Sequence, residues 1–253
     1  MTNLLKQAVN LIHDGDRYYG HGRFFHEFID DWAYHQTGLY KPSHPLKDEV
    51  TTISDELSNT IREAWEAVPG EDFIGHVIEE CGGSGHLSFF RTPPSVSLLM
   101  AKVLGGSKKL EDFADICMGS GSLTLAYIHQ TFIDGGSKAV ARLNIHGEDL
   151  SGNKVKVAML QILNLLDILG GGQPLYVHSM NLCEMNSLSR ECGLVQYDFS
   201  GPNNPRCRLD ERQRKLVQHS IQQGVPEDIL SKKMKLPLSL VKQEIAVFSQ
   251  GNA

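Results

Sequence analysis

The sequence predicts an α/β fold in which a partial parallel sheet is covered by helices and flanked by an N-terminal helical region and a C-terminal helical tail. Three observations carry that expectation. Residues 1–68 place apolar side chains at three- and four-residue intervals. From residue 109 to 199 short apolar runs alternate with helical ones, the spacing of strand–helix–strand units. The final 48 residues, 206–253, return to a helical pattern with no clear strand.

The first region reads as helices in "NLLKQAVNLIH", "RFFHEFIDDWAYHQ" and "DEVTTISDELSNTIREAWEAV". The prolines of "TGLYKPSHPL" break the second from the third. After the turn "VPGEDF", "EDFIGHVIEEC" opens a further helix behind an acidic first turn. Pro93 and Pro94 suit the start of the helix "SVSLLMAKVL". The core region, residues 69–205, then alternates: strand "KLEDFADIC", helix "SLTLAYIHQTFI", strand "VARLNIHGED", helix "NKVKVAMLQILNLLDIL", and strands "QPLYVHSM" and "GLVQYDF".

Bulk properties exclude several classes. With 41% hydrophobic and 21% charged residues the chain is an ordinary globular protein. No apolar run approaches the roughly 20 residues of a membrane span, and the N-terminus lacks the apolar block of a secretory signal, so no membrane partner and a cytoplasmic location are expected. Cys81, Cys117, Cys183, Cys192 and Cys207 form no C-x-x-C pair, which predicts reduced, mostly buried thiols rather than a zinc site or disulfide frame. His21 and His26 are five residues apart and miss the i, i+4 spacing of a helical metal pair, so no metal is expected. The net charge is −6, yet Arg206 to Lys242 holds nine Lys/Arg against four Asp/Glu, a local +5 that leaves −11 on the rest. Such a tail meets a polyanion or is simply a solvated helical face.

The chemistry concentrates in "DICMGSGS", Asp115 to Ser122. A phosphate-binding P-loop needs a lysine after its last glycine, and Ser122 and Leu123 stand there. The dinucleotide fingerprint needs a third glycine where Thr124 stands, and Asp115 at the strand end would repel a pyrophosphate. A cationic ligand is preferred, and S-adenosylmethionine fits: its ammonium and sulfonium can face the carboxylate while Gly119 and Gly121 let the nucleoside approach the backbone. One unit later, Glu148 and Asp149 end a strand where an acid can accept ribose hydroxyls, although Asp149 or Ser151 could equally cap the next helix.

The blocks "FFRTPPSVSLLMAKVL", "DICMGSGSLTLAYI" and "HGEDLSGNKVKVAMLQILNL" resemble, in order and spacing, those of the adenine-N6 DNA methyltransferases, and most nearly the modification subunits of type I restriction systems. The resemblance covers roughly residues 70–182. It implies a Rossmann-like methyltransferase core, S-adenosylmethionine as cofactor, DNA as substrate, and a homodimer or second subunit that supplies target recognition. By position it implies that Phe90, Thr92 and Pro93 line the methionine end of the cofactor, that Asp115, Gly119 and Gly121 form its loop, and that Asp149, or its neighbour Glu148, takes the ribose. In "HSMNL" Met180 stands where the family has aspartate, and Asn181 is the substitute contact to adenine.

The family's catalytic Asn-Pro-Pro-aromatic follows the fourth strand. Here "GPNNPRC" keeps Asn204 and Pro205 as catalytic candidates, while Arg206 and Cys207 depart from the pattern. A complete sheet of this type also adds about three strands beyond "GLVQYDF". Either another chain supplies the missing surface, or the protein is a reduced relative that binds cofactor without transferring the methyl group and acts in regulation or restriction-modification assembly. The tail "PEDILSKKMKLPLSLVKQEIAVF" fits a helix-turn-helix that would present Ser239, Lys242 and Gln243 to DNA, or a helical hairpin that docks on the body.

Overall fold

The computed structural model describes residues 2–81, 91–104, 112–200, 211–227, 229–230, 241 and 245. Eight α-helices and four strands are built from them: α1 (Thr2–Tyr19), α2 (Arg23–Thr37), α3 (Thr51–Ala67), α4 (Phe73–Glu80), α5 (Pro94–Leu104), β1 (Asp112–Ile116), α6 (Ser122–Val140), β2 (Asn144–Asp149), α7 (Gly152–Gly170), β3 (Ser179–Met185), β4 (Cys192–Ser200) and α8 (Glu211–Gln222). The α/β class and the N-terminal helices are as expected, and α8 is helical as expected of the tail, most of whose remainder lies outside the described residues. No helix among the described residues is long and apolar enough to cross a membrane.

The four strands lie in the order β1-β2-β3-β4. The first three are parallel, and Asp112–Ile116 pairs with Asn144–Glu148. Two expectations are corrected here. The third strand covers Ser179–Met185 rather than residues 173–180, and β4 runs antiparallel to β3. The reason is length: residues 186–191 form a hairpin loop between β3 and β4, in which Asn186 accepts from the N–H groups of Leu188 and Ser189. A parallel return would need a crossover of a dozen or more residues.

Helices α6 and α7 cover one face of the sheet. Phe113 of β1 stacks on Tyr127 of α6, with ring centroids 4.3 Å apart, and α7 packs on β2, β3 and β4. On the opposite face the row Ala114, His146, Asn181 and Asp198 is exposed or half-buried among the described residues. Helix α7 is apolar almost all round because its second side is covered too, by α2 and α3. Lys156 of α7 donates to Asp30 of α2 at 2.7 Å, and the buried side chains of the N-terminal helices and the sheet form one continuous core. The free edge of β4 is closed by Tyr40, whose hydroxyl accepts from Gln196 N and donates to Gln196 O, both at 2.7 Å.

Of the four cysteines described, only Cys183 is buried; Cys81 is half-buried, and Cys117 and Cys192 are exposed. All four are free thiols. The expectation of mostly buried thiols fails because Cys117 sits in a surface turn and Cys192 on the outermost strand. Cys207 lies outside the described residues.

Candidate functional site

The loop after β1 is a left-handed turn. Cys117 (φ 68°), Gly119 (φ 59°) and Gly121 (φ 93°) all take positive φ, a region glycine enters without a side-chain penalty. The turn closes through Gly121 N–H to Met118 O at 2.9 Å, and Met118 N–H reaches Glu148 O on β2 at 2.8 Å. Met118 then folds over Gly147, where a Cβ would stand 2.5 Å from its sulfur, so its side chain packs into the core rather than over the outer side of the turn.

Asp149 clasps this loop. Its Oδ2 accepts from Gly119 N–H and its Oδ1 from Ser151 N–H, both at 2.9 Å. Each carboxylate oxygen keeps a lone pair for one further donor. Asp115 lies on the helix-covered face of β1, is nearly buried, and accepts from the Thr124 hydroxyl at 2.7 Å. Burial pushes its carboxyl up from the ordinary carboxylate range, and the negative charge of Asp149 pushes the same way, against the Thr124 hydrogen bonds. The Lys154 ammonium in the first turn of α7 is pushed down to about 8 by burial, with Asp149 and Asp72 pulling upward.

Beneath the loop lies a centre that the sequence did not announce. Asp72 caps α4 by accepting from Gly75 N–H at 2.8 Å, and it also accepts from Ser120 Oγ, Ser122 Oγ and Gln161 Nε2. Gly75 must be glycine, because a Cβ there would stand 2.1 Å from the Asp72 carboxylate. Gln161 uses its whole amide. It donates to Asp72 and Ser120 O, both at 2.8 Å, and accepts from Trp65 Nε1 at 3.2 Å and Ile74 N–H at 3.1 Å. The N-terminal helices thus hold the loop's shape through one buried amide and one buried carboxylate. The only local sequence signal was a glutamine inside the apolar run "VAMLQILNLL".

Glu148 and Asn181 sit elsewhere. Glu148 lies on the sheet face away from Asp115 and Asp149, where His146 Nε2 lies 2.7 Å from its Oε1 and Arg190 bonds both its oxygens at 2.8 and 3.0 Å. The His146 bond first, then Ser187 and Arg190, hold its carboxyl down at about 2 in spite of burial. Asn181 is inside β3, in register with His146, not beyond the strand end; Glu184 is the residue of β3 beside Asp149. Two acids adjacent in sequence must project to opposite faces of a strand, so the structure brings Asp149 to the loop and takes Glu148 away from it.

His146, Glu148 and Cys183 place ligand-type atoms within 4.8 Å of one another. Arg190 already satisfies the carboxylate there, and burial pushes the Cys183 thiol up to about 11. The cluster is an ion-paired patch of the outer sheet face. His21 and His26 each approach an aspartate of the N-terminal helices, Asp16 and Asp30.

Thr92 lines a cavity of about 360 Å³ between α5 and α6, which also reaches Arg91, Ser97 and Ser122. Pro93 beside it is exposed. Phe90, the catalytic candidates Asn204 and Pro205, and the tail residues Ser239, Lys242 and Gln243 lie outside the described residues. The end of β4 is informative by itself. Ser200 pairs with Ser179 at the amino end of β3, so β4 finishes at the end of the sheet opposite the glycine loop. No family model matches this chain, and neither a curated protein nor a solved structure does.

Proposed function

We propose that the chain binds S-adenosylmethionine at the carboxyl ends of β1 and β2 and is an adenine-N6 DNA methyltransferase-like protein, with DNA as its partner. The observation that carries the reading is the Gly119–Asp149 clasp, which couples a side-chain-free turn to an acid with lone pairs to spare at the next strand end. That pairing suits a ribose lying across two adjacent parallel strands. A second support is electrostatic. Asp115 and Asp149 crowd two carboxylates, and a cationic ligand relieves their repulsion where a phosphate would add to it.

Within this reading Asp149 holds the ribose hydroxyls, Gly119 and Gly121 leave room for the nucleoside, and Asp115 supplies negative potential from below. The cofactor, when bound, supplies an electrophilic methyl group. Calorimetric titration with S-adenosylmethionine tests it. The unaltered chain should bind saturably, Asp149→Ala should weaken binding at least tenfold, and Asp115→Ala should lose more than Glu148→Gln, which changes less than threefold. Equal losses at all three positions, or no binding by the unaltered chain, would overturn the assignment.

A specific observation favours the reduced form of this activity. Ser200, where β4 ends, lies at the end of the sheet opposite the glycine loop, away from it by the length of a strand, about 17 Å. A chain of this kind holds cofactor and leaves methyl transfer to a surface supplied by another subunit. Labelled cofactor with adenine-containing duplex DNA separates the two forms. Turnover by the chain alone requires the full enzyme; binding without turnover matches the reduced relative.

A further inference from the structure

We infer that the cavity between α5 and α6 is a binding site for a small amphipathic organic anion, separate from the cofactor loop, with Arg91 and Ser97 holding its anionic head. Two helical stripes face each other across it: Ser97 and Leu98 from α5, and Ser122, Ala126, His129 and Ile133 from α6. Its volume of about 360 Å³ lies within the range of small-molecule pockets. Along α6 it extends from residue 122 to residue 133, about 16 Å of helix; Thr92 and Ser122 bring one end of it near the cofactor loop, while most of it lies away from Gly119 and Asp149, which do not line it.

The decisive feature is unspent hydrogen-bonding capacity. The Arg91 side chain is only 10% exposed. Its Nε reaches Glu79 at 3.4 Å, while Nη1 is buried with no partner among the described residues. Ser97 is 2% exposed, and its hydroxyl too has no partner among the described residues. Buried donors left unpaired are costly and rare in folded proteins. Here two of them line one cavity, and both can donate to an anion.

The carboxylates of Asp72 and Glu71 also line the cavity, but both are engaged: Asp72 accepts from Gly75, Ser120, Ser122 and Gln161, and Glu71 lies 3.2 Å from His76. Gln130 is spent on Asp134 at 2.8 Å. Burial lowers the His129 imidazole's proton affinity, so it adds no second fixed charge. Lys102 at the rim adds a cation that attracts the ligand from solution. Leu98, Ala126 and Ile133 then offer apolar wall to the body of the ligand. A monoanion with a short apolar body, such as an aryl-alkyl carboxylate, matches both halves.

The test compares 4-phenylbutyrate with its neutral counterpart 4-phenylbutanol by NMR-monitored titration of the full chain. Apolar surface elsewhere on α5, at Leu99 and Val103, would take either probe, so charge dependence is the discriminating readout. The acid should bind at least tenfold more tightly than the alcohol. Arg91→Gln should remove most of that preference, about 10- to 100-fold for a lost charge-assisted bond, and Ser97→Ala a smaller part. Filling the cavity with Ile133→Trp, at a position 63% exposed and so tolerant of size, should abolish binding without unfolding the chain. S-adenosylmethionine should bind equally well with the acid present. Equal affinity for acid and alcohol, or indifference to Arg91→Gln, would overturn the proposal. Competition with S-adenosylmethionine would instead assign the cavity to the cofactor site and overturn its separateness, while leaving cofactor binding itself intact.

Discussion

Asp72 and Arg91 are both largely buried charged groups beside the start of α6, and their surroundings are opposite. Asp72 collects donors from Gly75, Ser120, Ser122 and Gln161. Arg91 Nη1 and Ser97 Oγ, which line the same cavity, have no partner among the described residues. Ser122 stands between the two, giving its hydroxyl to Asp72 and its outer surface to the cavity. A satisfied buried network fixes one shape, because each member is costly to move. An unsatisfied one costs about 1–3 kcal/mol per group and persists where a ligand repays it. One side of α6 therefore holds the loop, and the other holds room.

The largest effect should come from breaking the saturated side. Asp72→Ala leaves a backbone N–H, two hydroxyls and a glutamine amide without their acceptor in a buried place. We expect a loss of about 3–5 kcal/mol in urea unfolding followed by circular dichroism. The proposed S-adenosylmethionine binding should fall with it, since Ser120 and Ser122 are no longer anchored. A cost below about 1 kcal/mol would mean that these donors find other partners, and the contrast with Arg91 would lose its basis.

Glu148 is the next step down. It is buried and well paired, but its partner Arg190 is 60% exposed, so solvent screens much of the interaction. Glu148→Gln should cost about 2 kcal/mol near neutral pH. The sign of the pH dependence follows from the depressed carboxyl, which falls from an ordinary 4.5 to about 2 in the fold. Its contribution is complete above about 4.5 and drains away as pH drops toward 2. The variant should lack that component of acid destabilisation. An unchanged slope between pH 4.5 and 2 would show that His146 and Arg190 do not hold the carboxylate in solution.

Much of the scaffold was legible because periodicity is a local signal. The three N-terminal helices, α7 and β1 lie where apolar spacing places them, while α6 runs on from the expected residue 133 to Val140, so that β2 begins at Asn144 rather than at residue 140. The glycine turn was equally legible, since positive φ at Gly119 and Gly121 is written into residue type. The third strand was misplaced for a definite reason. Leu175 and Val177 alternate and are buried, as strand residues would be, yet they belong to a loop segment outside the sheet ladder. Placing the strand too early lengthened the connection to β4 and hid a hairpin whose shortness forces antiparallel pairing. The Asp72–Gln161 centre was invisible because its partners lie 41 to 96 residues apart along the chain, apart from the local cap to Gly75. Only the fold brings them together, and a lone polar residue in an apolar helix says that a partner exists without saying which. Glu148 and Asp149 show the same limit on a smaller scale. Sequence marks an acidic pair, and the strand pleat decides which of the two meets the loop.

The smallest expected effect is the sharpest test of the contrast, because it applies one substitution to both sides. Ser120→Ala removes a hydroxyl that donates to the Asp72 carboxylate; hydrogen bonds to charged groups contribute about 1.5–3 kcal/mol, and the loss should fall in that range. Ser97→Ala removes a hydroxyl of nearly identical burial with no partner among the described residues to lose, the two residues each being 2% exposed. Nothing is left unpaired in its place, the desolvation penalty of the buried O–H disappears, and alanine is the better helix former within α5. Stability should therefore hold within about 0.5 kcal/mol or rise slightly, measured in the same urea series. If Ser97→Ala costs as much as Ser120→Ala, the hydroxyl has a structural partner in solution, and the cavity between α5 and α6 loses one of the two donors that mark it as a site.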